Sequence, residues 1–246
     1  MALLKKGFDF YINSSIHVAL AIWCLVKITD YKASQYALLA FFGTIVGYNF
    51  LKYFKWFLTN KSLRISIIGI IIITLIAALG FLLLFFEQDF KTQCYLIVAI
   101  GLVLLYVYIR KFGWLKLFFV SFVVSYVTAF IPFKDSHLVI WFFLQRFFLL
   151  SSIIIPFEIL DSPSDSISMK TLPHLFGIPR TKQIGYVLVS LYCIASIYAL
   201  PIYNHLFIYA FSSVVVIYFS TEKRSWYYTS FWVESLPIIW WLIQFL

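Results

Sequence analysis

Nine apolar stretches, approximately 10–28, 34–54, 66–86, 92–110, 115–132, 137–157, 182–200, 202–220 and 228–246, take up most of this chain of 246 residues. Each approaches the ~20 residues that an apolar helix needs to cross about 30 Å of hydrocarbon. Backbone that faces lipid must satisfy its own N–H and C=O groups, so stretches of this length read as helices. The expected fold is an all-α integral membrane protein, a single transmembrane domain over 1–246 with about nine transmembrane helices. Composition agrees: 63% of residues are hydrophobic and 12% charged, against roughly a quarter charged in ordinary soluble domains. A net charge of +9 would suggest nucleic acid in a soluble chain. Here hydropathy excludes that partner, and the charges report topology instead.

With nine spans, alternate loops lie on opposite sides. One side holds Lys5, Lys6, Lys52, Lys55, Lys61, Arg64, Arg110, Lys111, Lys116, Lys170, Arg180, Lys182, Lys223 and Arg224; the other holds Lys27, Lys32, Lys91 and Lys134. By the positive-inside rule the rich side is cytoplasmic, which places the N-terminus inside and the C-terminus on the opposite side. Trp56, Trp114 and Trp226 fall at cytoplasmic ends, and Trp23, Trp141, Trp240 and Trp241 towards the opposite ends, as an aromatic belt requires. Lys5 and Lys6 precede the first span as in a signal peptide, but the span is long and no A-x-A-like site comes after it, so it reads as retained. The expected location is a bacterial inner membrane. Cys24, Cys94 and Cys193 have no paired spacing suited to zinc or a disulfide framework.

Several polar residues stand out against this background. Asp161 and Asp165 are four apart in the longest connection, 158–181, and would share a face on a helical turn. Mg²⁺ is held by one or two carboxylates while substrate phosphates and water complete its octahedron; alternatively, Asp161 and Ser162 cap a short surface helix opened by Pro163. Arg146 and Glu234 lie inside spans at similar depth, where an unpaired charge costs at least ~2.5 kcal/mol. They are expected to pair with each other or to face a polar cavity. Asn13 and His17 are also four apart in the first span, and His17 is expected to hydrogen-bond a neighbouring helix.

Beyond the aspartates come Thr171-Leu172-Pro173, then Gly177, then Arg180-Thr181-Lys182. The run from Glu158 to Lys182 resembles the second acidic motif of the UbiA superfamily of intramembrane prenyltransferases, in which D-x-x-x-D is followed by Thr-Leu-Pro, a Gly and a basic helix start. The resemblance implies a nine-helix bundle around a cavity open to lipid. It also implies an isoprenoid diphosphate substrate held through Mg²⁺, with Asp161 and Asp165 as catalytic metal ligands and Glu158 as a further carboxylate. The family's first acidic motif would occupy Asn49 to Tyr53; Asn49 is kept, whereas Phe50 and Tyr53 stand where aspartates are expected. Lys52 and Lys55 can neutralise phosphate directly, or they are positive-inside anchors. Asn49, Lys52, Lys55, Lys116, Glu158 and Lys170 are the expected substrate-binding residues. Two functions are open: a membrane prenyltransferase that binds a polyprenyl diphosphate with Mg²⁺ on the cytoplasmic side, or a non-catalytic member that binds or transports a lipid or scaffolds a partner. The expected partners are the bilayer and an isoprenoid diphosphate or other lipid, with no nucleic acid.

Overall fold

The computed structural model describes residues 2–29, 33–59, 65–165, 169–199 and 206–245, of which 2, 3, 29, 54–59, 65 and 66 are described by backbone alone. Apolar runs become helices because a helix satisfies its own backbone in lipid. In chain order they are α1 (Ala2–Asn13), α2 (Ile16–Thr29), α3 (Ser34–Thr59), α4 (Ile65–Phe86), α5 (Phe90–Ile109), α6 (Gly113–Ser125), α7 (Val139–Asp161), α8 (Leu172–Ala199), α9 (Leu206–Phe219) and α10 (Leu236–Ile243). Two π-helical turns, Tyr126–Phe130 and Tyr228–Val233, come after α6 and before α10. Among the described residues five helices are long and apolar enough to cross a membrane, and α1 with α2, bent by 55°, form a sixth if counted as one span. The remaining elements, α3, α9 and the π-turn with α10, match the second, eighth and ninth apolar stretches in order.

Two boundaries differ from the sequence reading. The first stretch is broken rather than continuous: Ser15 has φ 63°, and Asn49 on α3 supports the break from outside. Its Nδ2 donates to the Ser14 carbonyl at 3.1 Å, and its Oδ1 accepts from Ser15 Oγ at 2.7 Å. The break removes Asn13 and His17 from a common helical face. The second difference is in the long connection, which contracts to 162–171 because α8 begins at Leu172, ten residues earlier than expected. The helix is kinked at Gly177, whose φ of 75° suits a residue without Cβ. Pro179, two residues on, lacks an N–H to donate and restricts Ile178 before it.

Most consecutive helices pack on one another, α5 packs on α3 and α6, and α10 returns onto α2, with α7 against α8 the most extensive contact. This closes the bundle. Leu25, Leu39, Ile155, Ile159, Tyr192, Ile217 and Trp240 form its buried centre. On α4 and α5 the large apolar side chains turn outward, among them Leu75, Ile76, Leu79, Leu83 and Ile97, the inversion expected where lipid replaces water. In the α4–α5 connection Asp89 caps α5, accepting from Thr92 N at 3.0 Å and Thr92 Oγ1 at 2.6 Å, with Lys134 at 3.1 Å. The Thr92 hydrogen bonds, first from its side chain and then from its backbone, hold the Asp89 carboxyl down at about 2.

Candidate functional site

A cavity of about 780 Å³ runs between α2, α3, α5 and α6. Its walls extend from Leu39 to Lys52 on α3 and from Leu96 to Arg110 on α5, which at 1.5 Å per residue is a shaft about 20 Å long. Apolar side chains, including Phe81, Ala99, Val103, Phe119 and Val127, line its length, and the charged ones sit at one end: Lys52, Arg110, Asp161 and Glu234. A second chamber of about 360 Å³ shares Tyr48, Tyr106, Arg110, Asp161 and Glu234 with the first and adds Lys116, Glu158 and Asp165. The two charge signs are thus gathered at the head of an apolar shaft.

The end of α7 supplies three of the carboxylates. Asp165 N donates to Asp161 O at 2.9 Å, continuing one helical turn beyond the helix, so both aspartates reach the same chamber. Asp161 is exposed to the cavity, and its carboxylate makes no hydrogen bond or ion pair among the described residues. Asp165 is engaged: Lys116 Nζ on α6 lies 2.9 Å from its Oδ2 and 3.3 Å from Glu158 Oε1. Glu158 is only 3% exposed, and its second oxygen has no hydrogen-bond partner among the described residues. Thr171 and Leu172 are buried. Gly113, at the start of α6, admits the backbone of 169–170 so closely that a Cβ there would lie 1.8 Å from the Met169 carbonyl oxygen. That contact sets residues 169–170 against α6, which carries Lys116.

Other expected site residues lie elsewhere. Asn49 is buried, with its amide taken by Ser14, Ser15 and Thr74 (2.8 Å to Thr74 Oγ1), so it braces the α1–α2 break and does not line the cavity. Tyr53, at the expected second aspartate position, donates to the Asn13 carbonyl at 2.8 Å. Phe50 lines the shaft. Lys52 does reach the cavity, with Nζ 3.1 Å from Asn13 Oδ1. Lys170 is exposed, has φ 51° and lines neither chamber. The Lys55 side chain lies outside the described residues.

The expected pairing of Arg146 with Glu234 does not form. Arg146 is buried near Tyr192 and Tyr209 and donates to the Leu25 carbonyl at 3.2 Å, while Glu234 lines both chambers. Equal depth did not imply a shared face. His17 bonds across helices as expected: Nδ1 is 2.9 Å from the Tyr11 hydroxyl, and Nε2 is 3.1 Å from the Phe231 carbonyl. Tyr48 and Tyr106 line both chambers, and sequence reasoning missed them. With 17 tyrosines and 28 phenylalanines in the chain, no spacing marks these two.

No protein-family profile matches this chain, and no curated protein matches it. A solved structure of digeranylgeranylglyceryl phosphate synthase, a UbiA-type membrane prenyltransferase, is similar at a TM-score of 0.57 with 17% identity, covering 99% of this chain and 96% of that one. At that identity the likeness is one of fold. Among the described residues the chain is all-helical, and it is a membrane protein with the fold of a UbiA-type prenyltransferase.

Proposed function

We propose that the protein binds an isoprenoid diphosphate, with the chain in the apolar shaft and the diphosphate at its charged end, and transfers the prenyl group to an acceptor. The observation that carries this reading is the shaft itself: about 20 Å of apolar wall ending at Lys52 and Arg110, with Lys116 in the adjoining chamber. These three cations are disposed to meet phosphate oxygens. The aliphatic wall excludes water from the chain, and Tyr48 and Tyr106 close the space around the head.

Carboxylate oxygens stand open here to a divalent cation, although no group of three or more His, Cys, Asp or Glu side chains placed to hold a metal ion is found among the described residues. Lys52, Arg110 and Lys116 face Glu158, Asp161, Asp165 and Glu234 across the two chambers. With all seven ionised, three positive charges oppose four negative ones, so a polyanionic head entering here calls for further positive charge. The free Asp161 carboxylate and the unpartnered second oxygen of Glu158 are available acceptors, and one or two carboxylates suffice for Mg²⁺ when phosphates and water supply the rest. Asp161, with Asp165 beside it, would hold the ion. Bound there, Mg²⁺ supplies charge stabilisation for the departing diphosphate. Lys52 and Arg110 add donors from the opposite wall, in place of the acidic residues absent at Phe50 and Tyr53.

A second reading, a lipid-binding protein of this fold without turnover, is favoured by two observations. Lys116 occupies Asp165 and Glu158, while α3 contributes no carboxylate at Phe50 or Tyr53. Calorimetry with a prenyl diphosphate, with and without Mg²⁺, separates the two. Mg²⁺-dependent binding that is lost on Asp161→Asn and weakened on Lys52→Ala supports the transferase reading. Absence of binding in both conditions leaves only the second.

A further inference from the structure

Glu234 is a carboxylate inside the bundle that has no hydrogen-bond or ion-pair partner for its side chain among the described residues. The π-helical turn Tyr228–Val233 aims it. Its N–H donates to Thr229 O, five residues back, at 3.2 Å, and the extra residue in that turn rotates the succeeding residues by about 100° relative to an uninterrupted α-helix. The turn is clamped from outside. The Phe231 carbonyl accepts from Ser235 N at 2.8 Å, from Ser235 Oγ at 2.6 Å and from His17 Nε2 at 3.1 Å. With Nδ1 accepting from the Tyr11 hydroxyl, Nε2 is the nitrogen that carries the proton. A buried polar cluster from α1 and α2 therefore fixes the direction in which Glu234 points, which is into both chambers.

The cations able to neutralise it are held elsewhere. Arg146 lies against the Leu25 carbonyl. Lys52 is the cation whose field reaches Glu234, but its Nζ is hydrogen-bonded to Asn13, and no ion pair joins the two among the described residues. An ionisable side chain kept in a membrane cavity without a protein partner marks a functional position. Around it the walls are apolar, with Val18, Ile22, Val120 and Val124 shared by both chambers. A carboxylate only accepts hydrogen bonds when ionised, so the complementary group is a donor carried on an apolar body.

We infer that Glu234 anchors a second headgroup subsite, separate from the Lys116 cluster, which takes an amphiphile whose head donates hydrogen bonds: an alcohol or an amine. Under the transferase reading this is the place of the acceptor. That label rests on the proposed function, whereas the binding itself does not.

The test uses the full chain in detergent micelles with three probes: farnesylamine, farnesol and a non-hydrolysable farnesyl thiodiphosphate, the last with Mg²⁺. Glu234→Gln is nearly isosteric and removes no protein contact, so the variant should fold. It is expected to weaken farnesylamine binding by about tenfold or more, to weaken farnesol binding measurably, and to leave thiodiphosphate binding no weaker than in the wild type, since the substitution removes a negative charge from the chambers. Unchanged amine and alcohol binding in the variant would overturn the inference, as would a parallel loss of thiodiphosphate affinity, which would put Glu234 in the diphosphate site. If the wild type binds no thiodiphosphate but responds to the amine through Glu234, the proposed function fails and the subsite stands.

Discussion

Replacing Lys116 by Met tests whether the α6–α7 contact is held by charge. In the folded protein the ammonium joins Asp165 at 2.9 Å and Glu158 at 3.3 Å, with side-chain exposures of 16% for Lys116, 19% for Asp165 and 4% for Glu158. Removing one partner of a buried pair leaves an uncompensated charge, a cost of about 3–5 kcal/mol. Asp165 keeps some solvent access, so the low end of that range, ~3 kcal/mol, is the expected loss here. Glu158→Gln should cost less, about 1–2 kcal/mol, because Lys116 retains its shorter bond to Asp165 and the replaced oxygen already lacked a partner. Once Lys116 is gone, neutralising Glu158 removes the stranded charge. The double variant should therefore be more stable than the sum of the single losses implies, by about 1–3 kcal/mol. Equilibrium unfolding of the four proteins in mixed micelles, monitored by near-ultraviolet circular dichroism, reads all the terms. Strict additivity, or a Lys116→Met loss below about 1 kcal/mol, would refute the idea that this ion cluster joins α6 to the end of α7.

Asn49→Ala should destabilise by about 2–4 kcal/mol, since it removes buried hydrogen bonds to Ser14, Ser15 and Thr74. Prenyl diphosphate affinity, measured on the folded fraction, should stay within about twofold; a specific loss of affinity would return Asn49 to the site. Gly113→Ala must displace the 169–170 backbone, because the added Cβ would sit 1.8 Å from Met169 O. Faster tryptic cleavage after Lys170 is the expected readout, and unchanged cleavage would mean that the segment is not held there. Arg146→Met and Glu234→Gln should have additive effects within about 0.5 kcal/mol, and a measured coupling well above that would show that the two charges meet after all. Asp89 has its carboxyl lowered from 3.8 to about 2 by the Thr92 hydrogen bonds. Its contribution is complete above the unfolded value and is lost as pH falls from about 4 through about 2. The stability difference between wild type and Asp89→Asn, measured by thermal unfolding, should therefore shrink over that window; a constant difference would argue against the cap.

The membrane class and the order of the helices were legible in the sequence because hydrocarbon imposes one requirement, about 20 apolar residues per crossing, and that requirement is written locally. The same holds for the turn that joins Asp161 to Asp165, since a four-residue spacing fixes neighbours on one helical turn. The sequence could not determine which walls face one another across the bundle. Arg146 and Glu234 share a depth, yet Arg146 turns toward Tyr192 and Tyr209, while a π-helical turn swings Glu234 into the cavity. Asn49 carries a motif position but is consumed by the break between α1 and α2, a break marked in the chain only by two serines. Lys116 read as a phosphate contact or a topology anchor, and in the folded chain it is the counter-ion of Glu158 and Asp165. Burial and helix length depend on composition over a window of residues, and the sequence contains that information. Which side chains converge depends on the rotation of each helix about its axis. In this bundle a single inserted residue or a positive φ resets that rotation, and only the packed tertiary structure decides it.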